Sequence, residues 1–174
     1  YYENIGSAIS PYYEYRTSDF LNSIDLMINA SPELFDIDGD GDLDMFIGTM
    51  VDPSNTPWTG RIHYYENIGS LDNPVFNFID NEFLGTELGT DLTLSFGNVN
   101  GDEYADIVVG NSNGYILLFF GIPNAEFEYI GQVPDIDLSG SSCPELIDLN
   151  SDGIDELIIG DSMGNLHYYG NVFS

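Results

Sequence analysis

One pattern occurs three times along this chain and leaves few folds open to it. It reads PELFDIDGDGDLDMFIG at 32–48, LSFGNVNGDEYADIVVG at 94–110 and PELIDLNSDGIDELIIG at 144–160, at offsets of 62 and 50 residues. Each copy is a short apolar run, an acidic loop, and a second apolar run that ends in glycine. Short β-rich runs divided by turn residues read as strands. A glycine-led run after each copy (Gly60–Tyr65, Gly114–Phe119, Gly164–Tyr169) reads as a third strand. A second repeated block supplies the fourth. YYENIGS stands at 1–7 and at 64–70, and the match continues with SAISPYYEY (7–15) over SLDNPVFNF (70–78). NAEFEY at 124–129 is a weaker copy of that tail, and HYYGNVFS at 167–174 resembles HYYENIGS at 63–70. No segment carries apolar residues at helical spacing.

Four consecutive strands per repeat predict an all-β chain of β-propeller blades, each of four antiparallel strands stacked face to face on its neighbours. Burial on both faces explains why 107–110 and 157–160 are apolar on consecutive residues rather than alternately. The chain divides as a single propeller segment over 1–174: residues 1–20 end a blade, 21–83 and 84–134 are blades, and 135–174 is a blade lacking its last strand. That makes about three blades, where closed propellers have about four to eight. Either the chain is a segment of a larger propeller, or neighbouring chains complete each other's blades through open edges. Its first residue is Tyr1 rather than methionine, in keeping with a segment of something longer.

The acidic loops have the spacing of a metal site. In the first, Asp36, Asp38, Asp40 and Asp44 place oxygens at positions 1, 3, 5 and 9, with the backbone carbonyl of Asp42 at position 7. The second offers Asn98, Asn100, Asp102 and Asp106 with the carbonyl of Tyr104. The third offers Asp148, Asn150, Asp152 and Glu156 with the carbonyl of Ile154. Calcium takes six to eight oxygens, and such sets predict up to three Ca2+ ions. Gly41 and Gly153 fit a sharp turn at position 6, where the second loop has Glu103 and an altered turn is expected. The loops are not EF-hands: position 12 is Ile47, Val109 or Ile159, and the flanks are strands. Ligand charge falls from the first loop through the third to the second, and affinity is expected to follow. Scarcity of histidine and the absence of cysteine from the loops argue against zinc and copper.

With Phe96-Gly97 ahead of NVNGDEYAD, and DIDGDGDLD and DLNSDGIDE as sister loops, the chain resembles the FG-GAP repeats of integrin-alpha-type β-propellers. The resemblance covers the three loops and their strands, essentially the whole chain. It implies calcium in the loops, on one face of the propeller, and a role in adhesion or ligand binding outside the cell.

Charge narrows the partners. Thirty acidic residues face only Arg16 and Arg61, for a formal charge of −28, and there is no lysine. A field of that sign excludes nucleic acid and anionic lipid as partners. No stretch is long enough to insert in a membrane. The extracellular or cell-surface reading leaves a protein or glycan ligand, with a homo-oligomer or fibre through open blade edges as a further possibility. No nucleophile elbow or phosphate loop is present, and carboxylate pairs follow from composition alone, so the chain is expected not to be an enzyme. An accessory propeller of a carbohydrate-active enzyme is the remaining alternative, and a salt-loving source would also explain the acidity. Lone Cys143 is expected to be buried. His63 and His167, at one repeat position, are expected to be structural. The tyrosine pairs at 1–2, 12–13, 64–65 and 168–169 are expected to cover blade contacts. Trp58, in the insertion Val51–Thr59, is a binding candidate, and Asn29-Ala30-Ser31 matches a glycosylation acceptor.

Overall fold

A computed structural model describes residues 2–16, 24–26, 29–52, 56, 58–85, 87–136, 138–170 and 173. Tyr1, residues 53–55 and 57 of the insertion, and the blade boundary expected at 20/21 lie outside them. The described residues form thirteen strands and no helix, so no helix is long and apolar enough to cross a membrane.

The strands fall into sheets that follow chain order. Strands β3 (Ser31–Phe35), β4 (Asp44–Gly48), β5 (Ile62–Asn67) and β6 (Phe76–Asp80) form one antiparallel sheet. Strands β7 (Thr93–Gly97), β8 (Asp106–Gly110), β9 (Ile116–Ile122) and β10 (Glu126–Gln132) form the next. A third sheet has three strands, β11 (Ser142–Ile147), β12 (Glu156–Asp161) and β13 (Leu166–Tyr169). Among the described residues, strands β1 (Tyr2–Asn4) and β2 (Tyr13–Tyr15) pair only with each other. These are propeller blades in an array that does not close into a ring.

The first strands lie side by side, β7 between β3 and β11. Glu33 on β3 shows the crowding this creates. Burial, and then the carboxylate of Glu145 on β11, push its carboxyl above the usual range, while a hydrogen bond from the Phe96 backbone pulls it down.

The middle blade is buried on both faces, and strand alternation sorts its residues between two cores. Ile107, Val109, Leu117 and Phe119 face the first blade and pack with Phe46, Ile62, Leu92 and Phe96. Val108, Ile116 and Leu118 face the third and pack with Leu146, Leu157 and Ile159. A stacked pair reinforces the first seam, with Phe35 on Phe96 at a centroid distance of 4.4 Å, and within the first blade Phe46 stacks on Tyr64 at 4.8 Å.

Glycines set how closely the blades approach. A Cβ on Gly48 would stand 2.2 Å from the Leu92 carbonyl oxygen of the next blade, and one on Gly110 would stand 2.3 Å from the Ser142 carbonyl oxygen. These glycines occupy the same repeat position, as do the two carbonyls. Gly160 is the third member, and a Cβ there would meet nothing closer than 3.9 Å.

The β1–β2 hairpin reproduces the β5–β6 corner. Asn4 Oδ1 accepts the amides of Gly6 and Tyr12, as Asn67 Oδ1 accepts those of Gly69 and Val75. Tyr2 meets Tyr15 edge-on at 5.4 Å, as Tyr65 meets Phe78 at 5.4 Å. Residues 2–16 thus fold as the outer half of a blade.

Two expectations change. Cys143 is exposed, because β11 alternates and turns Ser142 and Pro144 inward instead. Tyr64 covers a blade seam, but Tyr2, Tyr12, Tyr13 and Tyr168 are exposed. The two histidines share a repeat position but not a setting. His167 Nε2 lies 2.9 Å from Asp161 Oδ2, whereas His63 is buried near Asp52 and Arg61.

Burial lowers the pKa of His63 from 6.5, and Asp52 only partly opposes it. Below pH 6.5 the unfolded chain therefore takes up a proton that the folded chain refuses, and stability falls as pH drops through that window. His63→Gln should flatten this part of the stability–pH profile, measured by urea unfolding between pH 7 and 5.

Candidate metal centre

Each acidic loop joins the first and second strands of its blade, and each is bent by the same side-chain bonds. Aspartate and asparagine satisfy nearby backbone amides and so favour such turns. Position 9 accepts the amide of position 2: Ile37 to Asp44 at 3.2 Å, Val99 to Asp106 at 2.9 Å and Leu149 to Glu156 at 2.8 Å. Position 3 accepts from position 5, so that Asp40 donates to Asp38, Asp102 to Asn100 and Asp152 to Asn150. Position 5 accepts from position 7, so that Asp42 donates to Asp40, Tyr104 to Asp102 and Ile154 to Asp152. Position 1 accepts from the turn: Gly39 and Gly41 to Asp36, Gly101 to Asn98, and Asp152 and Gly153 to Asp148.

The turn needs a left-handed residue at position 4, supplied by Gly39, Gly101 and Ser151 (φ 76°, 78° and 64°). Gly41 and Gly153 are left-handed at position 6 as well, whereas Glu103 is not, so the second loop has the altered turn its sequence announced. Ser151 carries a Cβ in a conformation that favours glycine. Ser151→Gly should raise stability by about 1 kcal/mol in chemical denaturation.

The closing carboxylates of Asp44, Asp106 and Glu156 are buried. The free oxygen of Asp44 accepts the amide of Asn67 at 2.8 Å, and that of Asp106 accepts the amide of Gly121 at 3.0 Å. These two loops are thereby tied to the third strands of their own blades. Burial raises the pKa of both groups, and these backbone bonds oppose it.

In the first loop, the carboxylates of Asp36, Asp38 and Asp40 present oxygens that all lie within 4.8 Å of one another. Among the described residues this is the one acidic triad that closes so far. Beside it, Asp42 is 8 % exposed and its Oδ1 has no hydrogen-bond partner. Burial, then Asp40, Asp38 and Asp36, push its carboxyl up. The sequence reading gave Asp42 a role through its backbone carbonyl alone and missed its side chain. The available signal was an aspartate where the sister loops have Tyr104 and Ile154.

Asparagine changes the other two centres. The Asn100 amide donates to Asp102 Oδ2 at 2.9 Å and reaches Asp106 Oδ1 at 3.5 Å. Its own oxygen takes the Asp102 amide, so turning the group over would set donor against donor. Asn98 donates to the Asp102 carbonyl, and Asn150 donates to Glu156. These internal donors satisfy loop oxygens that a cation would otherwise coordinate. The first loop has only carboxylates.

The donor set fits a hard cation. It is all oxygen, holds three converging carboxylates, and includes a buried carboxylate oxygen that lacks a partner, which is costly without one. Asp36, Asp38, Asp40, Asp42 and Asp44 would hold the ion in the first loop, with the corresponding residues in the other two.

The protein-family model described as FG-GAP-like repeat matches residues 36–109 and 98–159. Both matches begin at position 1 of a loop and end in the second strand of the following blade. No curated protein and no solved structure matches the chain.

Proposed function

We propose, from the premise that this chain belongs to the FG-GAP-like repeat family, that it is a calcium-stabilised propeller module acting outside the cell as a binding, adhesion or scaffolding surface rather than as an enzyme. The observation that carries the reading is the first loop, where Asp36, Asp38 and Asp40 converge beside the unpartnered oxygen of Asp42. Like charges held this close repel strongly without a counter-ion, and calcium is the hard divalent ion most tolerant of irregular oxygen geometry. Extracellular modules use sites of moderate affinity at millimolar calcium. The acidic residues with positional regularity are committed to the loops, which leaves no regular set for catalysis. The ligand of such a module is a protein or a glycan.

Calorimetric titration with calcium tests the reading loop by loop. Binding should be tightest in the first loop, weaker in the third and weakest in the second. Asp36→Ala should remove the tightest phase, and Asp148→Ala and Asn98→Ala the later ones. Equal affinities, or no heat above that of a non-specific polyanion, would sink it.

A second reading is favoured by the β1–β2 hairpin, an outer half-blade that pairs with no other sheet, and by the three-stranded third sheet. A hairpin from one copy would add to β13 of another and build a fibre or surface assembly by strand addition. Light scattering of the purified chain in calcium separates the two: a mass that grows with concentration supports assembly, and a constant monomer mass rejects it.

A further inference from the structure

The two seams between blades are built differently at the loop face. Between the second and third blades, Asp155 closes the seam: Asn98 donates its amide to Asp155 Oδ2 at 2.6 Å, and the Asp155 amide returns to the Asn98 carbonyl at 2.7 Å. Between the first and second blades, Ala105 stands at the place of Asp155 and has no side-chain acceptor to offer across the gap. A cleft of about 320 Å3 opens there, between the first metal loop and the β9–β10 turn. Phe35 and Phe127 are its aromatic apolar surfaces, with Ile37 and Ile122 beside them, and Asp36, Asp38, Glu103 and Glu126 are its carboxylates. Glu103, the residue that replaces the position 6 glycine of the sister loops, also lines this cleft.

We infer that this cleft is a binding site for a cationic side chain, lysine or arginine, presented by a partner protein. The volume suits one long side chain. Its methylene stem would lie against the two phenylalanines and its charge would meet Glu103 and Glu126, combining cation–π attraction with charge-assisted hydrogen bonds. Those two glutamates stay available to a partner when an ion in the first loop takes up Asp36 and Asp38. Neither cation of this sequence is placed to fill it: there is no lysine, Arg61 is buried beside Glu82, and Arg16 bonds Glu3 and Glu14. A surface of charge −28 also draws basic partners in quickly. The inference builds on the binding-module reading by naming the site and the partner's chemistry.

The test is amide NMR of the whole chain in saturating calcium, titrated with acetyl-Gly-Lys-Gly-amide and acetyl-Gly-Arg-Gly-amide. Neutral twins carry Nε-acetyl-lysine or citrulline. At least one cationic peptide should shift the amides of Ala105, Gly121 and Phe127 saturably, and its neutral twin should bind at least tenfold more weakly. The Glu103→Gln/Glu126→Gln double variant should lose tenfold or more while the rest of the spectrum stays in place. Ala105→Asp, which restores the closing carboxylate, should abolish binding independently. Shifts that never saturate, equal binding of the neutral twin, or unchanged affinity in both variants would overturn the inference. Calcium-dependent melting of the same samples reports on the metal reading separately, so failure of the peptides alone leaves that reading standing.

Discussion

Removing calcium should lower the melting temperature by roughly 15–30 °C. A ligand that binds only the folded chain, at a hundred times its Kd, stabilises it by about 2.7 kcal/mol per site. Three sites give about 8 kcal/mol, and a domain of this size shifts by about 2–4 °C per kcal/mol. The structural cause is the first loop, where the Asp36, Asp38 and Asp40 carboxylates stay together and Asp42 stays buried only against mutual repulsion. Calorimetry in calcium, in chelator, and in magnesium after chelation is the measurement. Magnesium should restore only a small part, because it holds its waters and demands regular geometry. An identical melting curve in calcium and chelator would refute the metal assignment.

Acidity should act in opposite directions on the two forms. In the ion-free chain, Asp42, Asp44 and Asp106 hold their protons more tightly than the unfolded chain does, chiefly because burial penalises their charge. Stability lost by ionising them is therefore regained as pH falls toward the unfolded value of 3.8. In the calcium form the ion requires ionised carboxylates, so lowering the pH expels it and destabilises the fold. Below the window where His63 titrates, melting temperature should rise as pH falls toward 3.8 in chelator and drop over the same range in calcium.

The second large effect is steric. Gly110→Ala should cost about 3 kcal/mol or more, because a Cβ at 2.3 Å from the Ser142 carbonyl oxygen forces two packed blades apart. Gly48→Ala should behave alike against Leu92. Gly160→Ala, at the same repeat position, should change stability by no more than about 0.5 kcal/mol. Urea unfolding of the three variants in saturating calcium gives the comparison. Equal costs at all three positions would mean that strand propensity, not blade contact, explains these glycines.

Much of this was legible in the chain because repetition compares each position with its own copies. The strand order, the loops between first and second strands, and the double-sided burial of Ile107, Val108 and Val109 follow from copies aligned in register. The turn at Glu103 was legible as an exception for the same reason. Other features depend on neighbours in space. Nothing in DGDLD tells which way the Asp42 side chain turns, because that depends on how the loop closes over β5. Cys143 reads as a small apolar residue, but its exposure is set by strand phase, with Ser142 beneath the second blade's carbonyls and hydroxyls. Ser151 gave no sign of a left-handed backbone, since the rule was sought at position 6 and the first requirement lies at position 4. The unequal seams needed Ala105 and Asp155 to be compared across two blades, a pairing that no single repeat contains.

The closing carboxylates of Asp44 and Asp106 each clasp an amide of a strand that lies well downstream of its loop. On the proposed calcium reading, the protons on Asn67 and Gly121 would be remote gauges of ion occupancy. Their exchange with deuterated solvent would accelerate as each loop empties, at two sites that share no atom with any ligand set. One spectrum recorded during a chelator titration would then give the order in which the first two blades release their ions.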